Sequence, residues 1–384
     1  MKPQLLFVRN LLLGRKCASM KLFIGLSIIV ICLVIALVIR KMNSASPLSI
    51  QQHVKKHMDS GQVALVIQRN NEVLVEVNPH EPLPLASTVK FIVAIAYAQA
   101  AADGRIDASS PVLIKEIEPF YIPKTDGGAH KAWLGSLEGA KTVPLSEVAN
   151  GMMLYSSNAN TDYLIHRLGL FEINKTIRQL GLQHQEELYP LVSSLYIPVQ
   201  LMDEHGYGKK EVAQAIERMD IGEYRMRAMQ IHSDWLDTPP DAEDIKRMQQ
   251  ALTVEVQKVW SDRLPRASAA DYAKLMAILN SKNHFPPAVH AYLDPITEQL
   301  MQNPQNQSWL KHAGQKGGST MFVLTNAMYA TDKQHTTTEF VLLLNDLSLF
   351  EQMKLARSLN EFQLKILTDP AFMEEVQQEI ESAK

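Results

Sequence analysis

Residues 91–102 read Phe-Ile-Val-Ala-Ile-Ala-Tyr-Ala-Gln-Ala-Ala-Ala and are apolar on nearly every side of a helix. A helix with no polar face cannot lie on a surface, so it must run through the middle of the folded protein. Ser87 and Lys90 stand at its head, three residues apart and therefore on one helical face. A serine hydroxyl is a poor nucleophile until a base takes its proton. A lysine buried among apolar groups loses affinity for its own proton and can be that base. An N-cap role would explain the serine, but not a lysine inside an apolar helix. A second S-x-x-K, Ser308 to Lys311, follows a polar stretch and has no long apolar helix behind it. Ser87 has the better context on both sides.

Composition narrows the field. With 384 residues and an apolar fraction of 46%, the chain can bury a real core. Its charge is unevenly placed. Seven of the 38 Lys and Arg lie within residues 1–41, which hold no acid, so the remaining 31 face all 41 acidic residues. An acidic globular part argues against nucleic acid as a partner. Leu22 to Ile39 is an apolar run of eighteen residues, long enough to cross a bilayer. Lys2, Arg9, Arg15, Lys16 and Lys21 precede it, which places residues 1–21 in the cytoplasm and the bulk outside. Two expectations stand for 22–41: a retained single-pass membrane anchor, which the length favours, or a signal segment cut after Ser44-Ala45-Ser46 that releases an exported protein. Met20-Lys21 also reads as a natural start, which would make 1–19 a misplaced beginning.

Both cysteines, Cys17 and Cys32, fall in or before this segment. The exported part therefore has no disulfide and no cysteine nucleophile. The twelve histidines form no H-x-H or H-E-x-x-H pattern, and His53 and His57 read as surface residues on a polar helix. No metal or other cofactor is expected.

From Ser49 onward the pattern gives a polar helix, then a hairpin from Val63–Ile67 and Val73–Val77 around Arg69-Asn-Asn-Glu72. Asn78-Pro-His-Glu-Pro-Leu-Pro breaks the strand ahead of Ser87. Helices are expected over 145–155 and 160–168, with Ser156-Ser157-Asn158 between them. Residues 200–262 look charged and helical, as an insertion. A capped helix follows Leu264-Pro-Arg. Lys316-Gly317-Gly318 precedes two strands, at Met321–Leu324 and Glu339–Leu344. An amphipathic helix over 348–367 closes the chain. The expected class is α/β of the α+β kind: one domain, 47–384, with an antiparallel sheet flanked by helices and an all-helical subdomain.

Ser87-x-x-Lys90, Ser156-Ser157-Asn158 and Lys316-Gly317-Gly318 occur in that order, each in a suitable setting. Each is a weak signal alone. Together they resemble the penicillin-recognising serine hydrolases with the β-lactamase/transpeptidase-like fold, most closely the class A β-lactamase-like branch, over Gln62 to the last helix. The resemblance implies that Ser87 forms an acyl-enzyme and that Lys90 serves or assists as its base. Ser156 would pass a proton to the leaving nitrogen, and Asn158 would bind the substrate amide. Lys316 would attract an anionic substrate and orient Ser156. Backbone N–H groups of Ser87 and Ser319 would form the oxyanion hole, with Gly318 beside them.

The chain departs from that pattern at three places. Ser157 replaces an aspartate. Gly317 replaces a threonine or serine whose hydroxyl meets the substrate carboxylate, a role left to Ser319 or Thr320. No E-x-x-L-N stretch supplies a water-activating glutamate after the middle motif, and Glu186 and Glu187 read as a solvated pair. The expectation is a serine hydrolase acting on an amide or ester, such as a cell-wall peptide, with slow turnover of any β-lactam that acylates it. A working β-lactamase, a D,D-peptidase-like penicillin-binding protein and a non-catalytic binding protein of the same fold are the alternatives.

Overall fold

A computed structural model describes residues 46–384. The apolar segment Leu22–Ile39 and residues 1–21 lie outside the described residues. Among those described, no helix is long and apolar enough to cross a membrane.

Five strands form one antiparallel sheet: β1 (Val63–Arg69), β2 (Glu72–Val77), β3 (Leu310–Ser319), β4 (Leu324–Asp332) and β5 (Thr337–Leu344). Their spatial order is β2-β1-β5-β4-β3. Period-two alternation sends successive side chains to opposite faces, and both faces are covered. Val63, Leu65 and Ile67 of β1 join Phe340, Leu342 and Leu344 of β5 in one apolar cluster. That cluster is closed by α1 (Leu48–His57) and by α5 (Leu349–Thr368) and α6 (Pro370–Glu381) near the chain's end. Ala64, Val66, Val341 and Leu343 point the other way, into the larger core. There they share a cluster with α2 (Lys90–Ala102), α3 (Asn158–Leu168) and α4 (Ala269–Ser281). The expected α+β class and helix-flanked antiparallel sheet are therefore found.

Helix α2 is buried from Lys90 to Ala98 without a break, as its lack of a polar face requires. Residues 197–263 form five helices, Ile197–His205, Lys209–Arg218, Ile221–Asp237, Ala242–Ala251 and Val254–Arg263. They make up the helical portion expected over 200–262.

Two expectations need correction. Lys316-Gly317-Gly318 is part of β3 itself, and the strand expected at Met321–Leu324 is a turn that only Leu324 leaves, as the first residue of β4. Helix α5 also does not end the chain. Asp369 caps α6, its carboxylate accepting the Phe372 N–H.

Candidate active site

The order of the sheet decides where the site lies. β3 is an edge strand, so half of its backbone hydrogen-bonding groups face away from β4. Beyond that edge is a cleft of about 810 Å³ between the sheet and the helical part. Ser87, Ser156, Asn158, Lys316, Gly317, Gly318 and Ser319 all line it. Ser156 follows Lys90 by 66 residues and Lys316 follows Asn158 by 158, yet the fold brings these motifs to one site, with Lys90 beneath it.

Ser87 lies in a tight 3-10 turn, Ala86–Val89, that feeds directly into α2. Ala86 takes a left-handed φ of 46°, which is costly for a residue with a Cβ. The surrounding packing holds it there. Thr325 of β4 takes part: its hydroxyl lies 2.8 Å from Leu85 O and 3.3 Å from Gly318 O. One buried hydroxyl thus ties the Ser87 turn to β3, and no local sequence signal marks it.

Lys90 is fully buried. Its Nζ donates to Ser156 O at 2.6 Å, to Asn158 Oδ1 at 2.8 Å and to Ser156 Oγ at 3.3 Å. Ser156 presents both oxygens to one amine because it too is left-handed, φ 68°, at the end of a π-helical turn, Gly151–Tyr155. Burial lowers the Lys90 pKa well below the usual lysine value, and the nearby Lys316 lowers it further, against Asp162 and Asp126. Lys316 is buried as well, and its pKa is pushed down to about 8 by desolvation. Its Nζ donates to Gly317 O at 3.2 Å. No hydrogen bond joins it directly to Ser156.

Ser157, where the resemblance expects an aspartate, serves as a local acceptor and donor. It is buried and caps α3, accepting the Asn160 N–H at 3.2 Å while donating to Asn160 Oδ1 at 2.9 Å. His130 Nδ1 lies 2.9 Å from the same hydroxyl. With that proton already given to Asn160, His130 must be the donor.

The glycines differ sharply. A Cβ on Gly318 would stand 2.5 Å from Ser87 N and 2.8 Å from Leu85 O, both backbone atoms. Only glycine lets β3 come this close to the turn that carries Ser87. A Cβ on Gly317 would meet only ordinary contacts, Asn326 Nδ2 at 3.4 Å and Thr325 O at 3.6 Å. Thr320 lines the cleft as well; its hydroxyl oxygen accepts from Phe322 N and Val323 N inside the β3–β4 turn and lies 2.9 Å from the Ser261 hydroxyl. Ser319 is exposed.

Asp126 is the only carboxylate lining the cleft among the described residues. It is occupied: Oδ1 accepts Gly128 N and Oδ2 accepts His130 N. Asp162, which sequence reasoning missed, is buried four residues beyond Asn158. It accepts Leu191 N at 2.9 Å and Val192 N at 2.7 Å, and burial pushes its pKa up to about 7. It pins the segment whose Leu191 walls the cleft. Glu186 pairs with Arg225 at 3.2 Å and Glu187 with Arg178 at 3.6 Å, and neither lines the cleft. Ser308 and Lys311 are exposed on the far end of β3 and the short helix before it.

The family model that matches is described as "Beta-lactamase enzyme family" and covers residues 48–308, so the third motif lies beyond it. Among solved structures, a beta-lactamase from Sphaerobacter thermophilus is 16% identical, with 84% of this chain and 99% of that one covered and a TM-score of 0.52. A beta-lactamase from Chitinophaga pinensis is 14% identical over 83% of this chain and 99% of that one, with a TM-score of 0.50. At these identities the likeness is one of fold. No curated protein matches the sequence significantly.

Proposed function

The chain belongs to the beta-lactamase enzyme family, and on that footing we propose that it is a serine hydrolase acting outside the cytoplasm, held at the membrane by Leu22–Ile39. Ser87 attacks the carbonyl of an amide or ester, the carbon–nitrogen or carbon–oxygen bond breaks, and an acyl-Ser87 ester remains. Neutral Lys90, its two N–H groups held by Ser156 O and Asn158 Oδ1, takes the Ser87 proton on its lone pair; Ser156 hands its own proton to the leaving group and regains one from Lys90 across the 3.3 Å Nζ–Oγ contact. Asn158 holds the substrate amide, and Lys316 attracts its carboxylate. The N–H groups of Ser87 and Ser319 receive the developing oxyanion. The observation that carries this reading is the buried Lys90 amine, its proton affinity lowered, bridging Ser156 and Asn158 beneath the cleft that Ser87 lines.

The same cleft favours slow deacylation. Water attack on an acyl-serine needs a base, and Asp126, the one carboxylate lining the cleft among the described residues, already holds two backbone N–H groups. A peptidase of cell-wall peptides that β-lactams acylate and leave slowly fits this better than an efficient β-lactamase. The test is a peptide ending in D-alanyl-D-alanine. Release of the terminal residue that depends on Ser87 supports the peptidase reading. Rapid, Ser87-dependent turnover of penicillins with an inert peptide would replace it by a true lactamase, which the family membership keeps as the second reading.

Two predictions follow from the charges and space in the cleft. Loss of the Lys90 proton favours acylation, while loss of the Lys316 charge near pH 8 weakens capture of a carboxylate, so acylation by a carboxylate-bearing substrate should fall, relative to a substrate without that group, as pH rises through about 8. A pH profile of the acylation rate checks this, and a substrate lacking the carboxylate should lose the alkaline fall. A profile flat through pH 8 for both substrates would count against the role of Lys316. Separately, Gly317→Thr restores a hydroxyl where there is room for it. A hydrogen bond to a charged group contributes about 1.5 kcal/mol, so penicillin acylation should speed up roughly tenfold, as read by stopped-flow or a fluorescent penicillin. No gain would mean that the carboxylate binds elsewhere.

A further inference from the structure

We propose that His53, His57 and Glu351 form a divalent transition-metal site, of the kind zinc fills, that fastens α1 to the first turn of α5. His53 and His57 are four apart on α1 and so share one helical face. They do not behave as the surface residues expected from the sequence. Both are half-buried, with ring centroids 4.5 Å apart. Glu351 comes from the first turn of α5, and one nitrogen of each histidine and a carboxylate oxygen lie within 4.8 Å of one another. Two imidazoles and a carboxylate are a common zinc donor set, leaving a fourth position for water. Tetrahedral bonds of about 2 Å place ligand atoms roughly 3.4 Å apart, a closure that side-chain rotation supplies.

Two further observations point to a ligand. His57 Nε2 is buried and has no hydrogen-bond partner, an arrangement that costs stability unless something fills it. Glu351 is fixed from one side only: the Ser348 N–H and hydroxyl donate to Oε2 at 3.0 and 2.6 Å, which leaves Oε1 for the metal. The site lies apart from the catalytic groups but on the same element as part of the cleft wall. Leu349 and Gln352, which flank Glu351, line the cleft. A metal here would set the position of that turn.

The probe is zinc added to the metal-free full chain, followed by calorimetry and thermal unfolding, with cobalt as a spectroscopic substitute. The expected result is one zinc per chain, a raised unfolding midpoint, and visible cobalt bands of a tetrahedral or five-coordinate site. In His53→Ala/His57→Ala that binding should weaken at least tenfold. Glu351→Gln should weaken it too while keeping the cap, since glutamine serves equally in a capping box. Both variants should still be acylated at Ser87, which shows that they fold. Zinc binding absent from the natural chain, or unchanged in both variants, would overturn the site.

Discussion

Ser87→Ala should abolish covalent labelling by penicillins and reduce hydrolysis of any substrate by at least about 10³-fold, because no other group can hold the acyl intermediate. Lys90→Met should come close to it. Loss of a positioned general base costs about 10²–10⁴-fold, and here the same change removes three hydrogen bonds to Ser156 and Asn158. The two variants separate chemistry from architecture. Ser87→Ala deletes one oxygen at a half-buried position and should leave the unfolding midpoint almost unchanged. Lys90→Met replaces a fully buried amine by an apolar chain of similar length. It leaves Ser156 O and Asn158 Oδ1 without their donor, so it should cost some stability. If Lys90→Met retained near-native acylation, the base would have to be another group, and the reading of the buried lysine would fail.

Gly318→Ala is expected to be nearly as damaging to activity, for a different reason. The added methyl would sit 2.5 Å from Ser87 N and 2.8 Å from Leu85 O. Neither contact is the tip of a flexible side chain, so β3 and the nucleophile turn must separate. Overpacking of this kind costs about 1–3 kcal/mol. A displacement of the order of an ångström between nucleophile and oxyanion donors costs roughly 10²-fold in rate. The expected result is a folded protein with a lower unfolding midpoint and acylation slowed about a hundredfold. Gly317→Ala is the control, since its Cβ meets nothing closer than 3.4 Å, and it should be close to neutral. Equal effects at both positions would contradict the close approach of β3 to Ser87.

The central helix, the hairpin before the nucleophile and the helical stretch after residue 197 were legible because each depends on local periodicity. The residues that line the cleft were legible because three short motifs occur in order, two of them with one position changed. What the sequence concealed depends on neighbours distant in the chain. Leu310–Ser319 holds three glycines and several polar residues, and reads as a loop. It becomes a strand because β4 pairs with it along its length and because the glycine at 318 allows contact with the turn at 86–89. Thr325, Asp162 and His130 carry no motif. Their importance comes from what lies opposite them: Leu85 O, the N–H groups of Leu191 and Val192, and the Ser157 hydroxyl. The pairing of His53 and His57 was visible as spacing, but Glu351 is almost 300 residues away. Only the packing of α1 on α5 brings the three together.

The most direct test of the acyl-enzyme account is the intact mass of the full chain followed over time after mixing with a penicillin, with peptide mapping of the modified residue. The account predicts an adduct on Ser87 that forms and persists, and that is absent from Ser87→Ala. No adduct, or an adduct on any other residue, would contradict the assignment of the nucleophile. An adduct that disappears as fast as it forms would contradict slow deacylation and reveal a water-activating base in the cleft.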